Sequence, residues 1–128
     1  MAVGMTEGLR LLHRQMHPSW IQEGRITSQA FSPTPKDLGL LSVYDGAQID
    51  ADASFRHYTT VQHLRAAGTA SVTSGEVSCI GLSWRMDPEP FPEHAVIDFN
   101  GLGSPGRIKA RAQGLAEMAR RRGWTYQP

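Results

Sequence analysis

The sequence contains a single cysteine, Cys79, among 128 residues. One thiol excludes an intramolecular disulfide and a cysteine-based zinc site, and its mixed apolar surroundings predict an ordinary buried side chain. No apolar run approaches the roughly 20 residues of a membrane span, and the N-terminus has no pattern typical of a signal peptide. The chain also lacks Gly-rich nucleotide-binding motifs and internal repeats. These absences predict a cytoplasmic protein with no membrane contact and no cofactor.

The residues that are present have the composition of one globular domain. Apolar residues make up 40% of the chain and charged residues 20%, which excludes disorder throughout. A length of 128 residues predicts a single domain over 1–128. Thirteen glycines and eight prolines predict many loops and short elements.

The net charge of +1 hides an asymmetry along the chain. Residues 37–98 carry nine acidic side chains and three arginines, whereas residues 104–128 carry six basic side chains and one glutamate. Such asymmetry favours an acidic protein partner or self-association, although a solvated helix face beside an acidic body explains it equally. The nearly neutral total argues against nucleic-acid binding.

Helical patterns occur in two places. The first predicted helix covers about residues 50–62 and begins at Asp50, a common N-cap residue. The second covers about residues 104–122 and lies between a serine followed by proline and a glycine at position 123. Apolar residues recur along it at steps of three and four, at Ile108, Ala112, Leu115 and Ala119.

Short alternating or apolar segments predict strands. They are RLLHRQM, RITSQAF, LLSVY, TASVT, GLSWRM and HAVIDF. Strands come first, then a helix, more strands and a terminal helix. This order predicts an α+β fold with a small mixed or mostly antiparallel sheet and two main helices.

Several polar residues are candidates for ligand or partner contact. Arg14 and Arg25 lie on neighbouring predicted strands, and prolines stiffen the loop 32–37 that follows. We therefore expect Arg14, Arg25 and this loop to share one surface, which suits a small anionic ligand. His94 stands at the entry to a strand, where a sheet holds the backbone still. The candidate set is Arg14, His17, Arg25, Lys36, Asp37 and His94.

Two pairs of residues have a spacing that suggests a functional pair, but their local backbone argues against it. His13 and His17 have the separation of a helical metal pair, but Pro18 biases His17 away from helical backbone, so we predict no metal site. His94 and Asp98 share a strand face, yet four strand residues span about 13 Å, which is too far for a direct pair.

An enzymatic alternative remains open. The local sequence places no nucleophile beside a base. The order of four residues nevertheless resembles that of small NAD-consuming transferases such as ADP-ribosyltransferases, which carry an Arg or His on an early strand, a Ser or an aromatic residue on a later one, and a Glu further on. The residues concerned are His13, Arg14, Ser28 and Glu76.

A longer pattern resembles a group of small bacterial open reading frames that carry no assigned activity. It consists of His-Pro-Ser at 17–19, Gly-Arg at 24–25, Thr-Ser-x-Ala-Phe at 27–31, Pro-x-Pro-Lys-Asp at 33–37 and Leu-Ser-Val-Tyr at 41–44. The resemblance implies a bacterial source and a compact single domain. We predict a non-enzymatic protein- or ligand-binding module of a bacterial multi-component system. The alternative is a small enzyme or toxin that acts on a nucleotide or RNA.

Overall fold

The computed structural model describes residues 8–128 and confirms the α+β prediction. In chain order the strands are β1 (Leu11–Met16), β2 (Ile21–Gln22), β3 (Arg25–Ile26), β4 (Leu40–Asp45), β5 (Gly68–Thr73), β6 (Ser83–Met86) and β7 (His94–Asp98). The helices are α1 (Ala51–Arg56), α2 (Ser74–Cys79) and α3 (Pro105–Arg122). None of the helices within the described residues is both long and apolar enough to cross a lipid bilayer.

Five strands form one sheet in the order β5-β1-β4-β7-β6, and every ladder in it is antiparallel. The short strands β2 and β3 form a separate hairpin. Since partners across an antiparallel ladder point to the same side, the register assigns each side chain to a face.

The two predicted helices are confirmed, with an addition. Ser104 caps α3 through its Oγ, which accepts a hydrogen bond from the Arg107 amide, and Gly123 ends the helix at a φ of 84°. The first predicted helix is α1, which continues as a π-helical turn over His57–Val61. The addition is α2, a helix of six residues that begins after Thr73.

The predicted strand RITSQAF is wrong beyond Ile26. A 3-10 turn over Ser28–Phe31 follows instead. Strand alternation would send Ala30 and Phe31 to opposite faces, whereas the turn buries both completely in the core. The prediction of a buried Cys79 is also wrong, because this last residue of α2 is exposed.

The face of the sheet that packs against α3 is the core face. Its side chains from β1, β5 and β7 include Leu12, Met16, Val72 and Ile97, all fully buried. They belong to one cluster with the buried stripe of α3, Ala112, Leu115, Ala116 and Ala119. Three of these four stripe residues are alanines, so the helix can lie close to the sheet.

The opposite side is the polar face. It carries His13 and Gln15 of β1, Ser42 and Tyr44 of β4, and His94 of β7, as the register requires. The helix α1 covers the part of this face that β1 and β5 form. Six residues of α-helix cannot cover five strands, and the part near β4 and β7 stays open.

Candidate functional site

The covered part of the polar face is closed by hydrogen bonds. Gln15 Nε2 donates to Ser54 Oγ of α1 at 2.8 Å, and Thr69 Oγ1 donates to Gln15 Oε1. Nearby, His13 Nδ1 lies 2.7 Å from Ser71 Oγ. Burial lowers the pKa of His13 against smaller opposing effects of Ile49, Asp50 and Asp45, so its ring is neutral at pH 7. This region is a satisfied polar core.

The open part of the polar face contains a cavity of about 240 Å³. Residues of β1, β4, β7, the π-helical turn and its C-cap, and the loop before β7 line it. They are His13, Arg14, Gln15, Ser42, Val43, Tyr44, Tyr58, Gln62, Pro90, Phe91 and His94. Two of the sequence-predicted contact residues, Arg14 and His94, therefore share one cavity.

Arg14 alternates with Leu12 and Met16 onto the core-face side of β1, and it lies where β1 and β4 part. Their ladder holds the pairs Leu12–Asp45 and His13–Tyr44 and then ends. Arg14 Nη1 donates to the Ser42 carbonyl oxygen at 2.8 Å, and its Nε donates to the Ala30 carbonyl oxygen at 2.7 Å. The guanidinium thereby replaces ladder hydrogen bonds that the diverging strands cannot make.

The guanidinium of Arg14 is partly buried and has no direct counter-ion among the described residues. Burial lowers the pKa of Arg14 to about 10, while Tyr58 and Asp37 act in the opposite direction. No carboxylate in the described part of the chain forms an ion pair with it. Trp20 packs on one side of the group, 5.0 Å from ring centroid to Cζ. Its Nη2 has no hydrogen-bond acceptor among residues 8–128.

His94 is held between a backbone oxygen and a hydroxyl. Its Nδ1 lies 2.8 Å from the Asp87 carbonyl oxygen and 3.4 Å from the carboxylate of the same residue. A carbonyl oxygen only accepts, so Nδ1 carries a proton. Nε2 of the neutral ring is then an acceptor, and it lies 3.0 Å from Ser42 Oγ. Ser42 is exposed, whereas His94 is buried.

Aromatic rings form the remaining wall of the cavity. The Phe91 ring centroid lies 5.0 Å from that of Tyr44, 4.6 Å from His57 and 5.2 Å from His94. Tyr44 accepts from Gln62 Nε2 at 2.7 Å and donates to His57 Nδ1 at 2.8 Å. Burial raises the pKa of Tyr44 well above its ordinary value, so the phenol stays neutral.

The other predicted contact residues lie elsewhere. His17 Nδ1 accepts from the Ser19 amide and caps the turn Pro18–Trp20. Arg25 lines a groove between the β2–β3 hairpin and the end of α3. Asp37 closes a capping box with Thr34, and the neighbouring Lys36 is exposed.

The cavities described here do not bring Arg14, Arg25 and the loop 32–37 together. Arg25 belongs to the groove beside α3, and Ser32 and Pro33 line a further cavity near the start of that helix. Within the loop 32–37, Asp37 acts on Arg14 and raises its pKa against the larger effect of burial.

The residues of the enzymatic alternative are not brought together either. His13 and Arg14 line the polar-face cavity, whereas Ser28 lines the groove beside Arg25. Glu76 caps α2 by accepting from the Thr73 amide at 2.8 Å and forms two hydrogen bonds with Arg122. Its carboxylate is thus engaged in structure.

Sequence reasoning missed most of the cavity wall. Alternation along LLSVY places Ser42 and Tyr44 on one face, and this pattern was visible. The positions of Tyr58, Gln62 and Phe91 depend on the π-helical turn and on a proline-rich loop, for which the sequence offered no register.

Among residues 8–128, no three metal-ligating side chains converge. Comparison of the chain with protein-family models, curated proteins and solved structures finds no match.

Proposed function

We propose that the protein is a binding module whose ligand is a small monocarboxylate seated in the polar-face cavity. The observation that carries this proposal is the state of Arg14. Its guanidinium is partly buried, its two hydrogen-bonded acceptors are neutral carbonyl oxygens, and Nη2 has no acceptor among the described residues.

Arg14 carries a positive charge that is partly withdrawn from water. Partial burial of a cation costs free energy unless the cation is paired, and the described residues supply no direct pair for Arg14. A ligand carboxylate would supply both the countercharge and a hydrogen-bond acceptor for Nη2. One positive charge balances one negative charge, which favours a carboxylate over a phosphate dianion.

The cavity wall indicates the body of the ligand. Phe91, Tyr44 and Tyr58 offer apolar ring surface, while Gln62 and Ser42 add polar atoms. At about 240 Å³ the volume is slightly below that of common small-molecule sites, about 300–1,000 Å³. A carboxylate with a small aromatic or aliphatic body fits these limits.

Titration with benzoate and benzamide tests the proposal, because the two probes have nearly the same shape and differ in charge. Isothermal calorimetry or NMR should give a benzoate dissociation constant on the order of millimolar, as expected for a fragment. Benzamide should bind about tenfold more weakly or worse, since it cannot neutralise Arg14. Equal binding of the two probes, or no binding of benzoate, would contradict the proposal.

A matched pair of arginine variants locates the charge. Arg14→Met should abolish the preference for benzoate over benzamide, whereas Arg25→Met, in the separate groove, should leave it unchanged. Circular dichroism checks that both variants are folded. Should Arg14→Met not fold, the wild-type comparison of the two probes still decides the matter.

A further inference from the structure

Ser42, His94 and Asp87 form a chain of contacts at the rim of the cavity. We propose that Ser42 is a catalytic nucleophile that His94 activates, and that the protein hydrolyses a small carboxylic ester in this cavity. The inference deepens the proposed function and rests on it, because the carboxylate that Arg14 is proposed to bind is the product of this reaction.

The direction of the hydrogen bonds supports the proposal. The Asp87 carbonyl oxygen fixes the proton on Nδ1 of His94, so Nε2 presents its lone pair to the Ser42 hydroxyl at 3.0 Å. The hydroxyl therefore donates to the imidazole, which is the arrangement a general base needs to take its proton. A nucleophile, a base and a group that orients the base are all present.

Ser42 and His94 differ in solvent exposure, as a nucleophile and its general base should. Ser42 is exposed and lines the cavity, so an ester carbonyl can approach its Oγ. His94 is 8% exposed, and Phe91 packs against its ring, so its orientation is held. A held base beside an accessible hydroxyl costs little reorganisation at the moment of reaction.

The positive charge of Arg14 can stabilise the negative charge that forms during the reaction. Arg14 Nη1 donates to the backbone carbonyl oxygen of Ser42 at 2.8 Å, so the guanidinium contacts the residue that carries the nucleophile. Attack on an ester places negative charge on the former carbonyl oxygen. A cation in a partly water-excluded cavity stabilises such an oxyanion.

The reaction balances without a cofactor. Ser42 Oγ bonds to the ester carbon while its proton passes to His94 Nε2, and the carbonyl oxygen becomes negative. Collapse of this intermediate breaks the bond to the alcohol, which leaves with the proton from His94. Water then gives a proton to His94 and adds to the acyl carbon. Ser42 departs, regains its proton, and a carboxylate remains after the acid ionises.

A fluorophosphonate probe tests the nucleophile directly, because it reacts with activated serines. Oγ bonds to phosphorus, fluoride leaves and the proton passes to His94. Mass spectrometry of the labelled protein should find one adduct, located on the peptide that contains Ser42. The same protein should release p-nitrophenol from p-nitrophenyl acetate through an acetylated Ser42.

The chain offers a matched control. Ser19 and His17 also lie in hydrogen-bond contact, at 2.8 Å from Oγ to Nδ1, but they lie outside the cavity lining. Ser42→Ala should abolish labelling, and Ser19→Ala should leave it unchanged. His94→Gln should slow labelling by about 100-fold, the lower end of general-base effects.

The outcomes separate the two proposals. Wild-type protein that shows no adduct, or an adduct on another residue, overturns the catalytic inference while benzoate binding still supports the proposed function. Adduct formation at Ser42 without any binding of benzoate overturns the proposed function and breaks the link between Arg14 and the product. Because the labelled residue is located in the wild type, misfolding of His94→Gln would not prevent a decision.

Discussion

The two faces of one sheet carry opposite chemistry although the same strands build them. Along β1, Leu12 and Met16 enter the core face, whereas His13 and Gln15 enter the polar face. The core face is sealed by an 18-residue helix with a buried apolar stripe, and the polar face is covered in part by the six residues of α1. The difference shows that apolar burial holds the fold while incomplete polar cover creates the cavity.

The covered part and the open part of the polar face also differ from each other. In the covered part, Gln15, Ser54 and Thr69 satisfy one another. In the open part Ser42 keeps an accessible hydroxyl, and Arg14, which alternates onto the core-face side of β1, keeps an unused donor where β1 and β4 part. A fully satisfied network is a structural core, and spare hydrogen-bonding capacity beside a cavity is what a ligand can use.

The largest effect is expected on the core face. Leu115→Ala removes a fully buried side chain under the sheet and should lower the free energy of unfolding by about 3 kcal/mol or more. Leu64→Ala, at a residue that is 46% exposed, should change it by no more than about 0.5 kcal/mol. Urea denaturation measures both values. If the folded Leu115→Ala protein also lost benzoate affinity, the independence of the two faces would be refuted.

A smaller effect is expected in the covered part of the polar face. Gln15→Leu leaves the Thr69 hydroxyl with a contact of 3.5 Å to the Ala51 carbonyl oxygen and takes a donor from Ser54. The expected loss in the free energy of unfolding is about 1–3 kcal/mol, again measured with urea.

Two further variants show whether that loss comes from unsatisfied polar groups. Gln15→Leu combined with Thr69→Val removes donor and acceptor together and should recover part of the stability. Gln113→Leu, at an exposed position of α3, should be nearly neutral. The losses in the free energy of unfolding caused by Gln15→Leu alone and by Thr69→Val alone give the additive expectation. A loss in the double variant that exceeds their sum would argue against the satisfied network.

The smallest effect concerns the ion pair between α2 and the end of α3. Burial raises the pKa of Glu76, but hydrogen bonds from Arg122 and Thr73 outweigh it, and the net pKa is lowered. The ionised carboxylate therefore stabilises the fold above its unfolded pKa, and this contribution is lost as the pH falls through the folded pKa.

Glu76→Gln should accordingly cost about 0.5–1 kcal/mol at neutral pH, as for a partly exposed pair. The difference in the free energy of unfolding between wild type and variant, measured with urea at several pH values, should become smaller as the pH falls. Glu89→Gln, at an exposed residue without an ion pair in the described region, serves as the control. A gap that stays constant with pH would exclude the linkage.

Much of the architecture could be predicted from local patterns. The N-cap at Ser104 and the glycine at 123 bound α3, and alternating or apolar segments marked the main strands. The failure at Ser28–Phe31 has a tertiary cause, since burial of two adjacent side chains by α3 outweighed the alternation that the sequence displayed.

The cavity was less accessible to sequence reasoning. Arg14 and His94 stood out as charged or titratable residues on predicted strands. Ser42 did not, because its importance arises from strand pairing that brings it diagonally next to His94 across β4 and β7. Such cross-strand neighbours depend on register, which a single sequence does not specify.

The most direct test of the central claim is an amide and arginine-Nε NMR titration of the wild-type protein with benzoate. If benzoate binds at the open part of the polar face, the largest chemical-shift changes should fall on Arg14 Nε and on the amides of Ser42, Tyr44 and His94. Shifts that instead centred on Arg25 and the groove beside α3, or that benzamide reproduced in full, would contradict the claim that the open part of the polar face is the working surface.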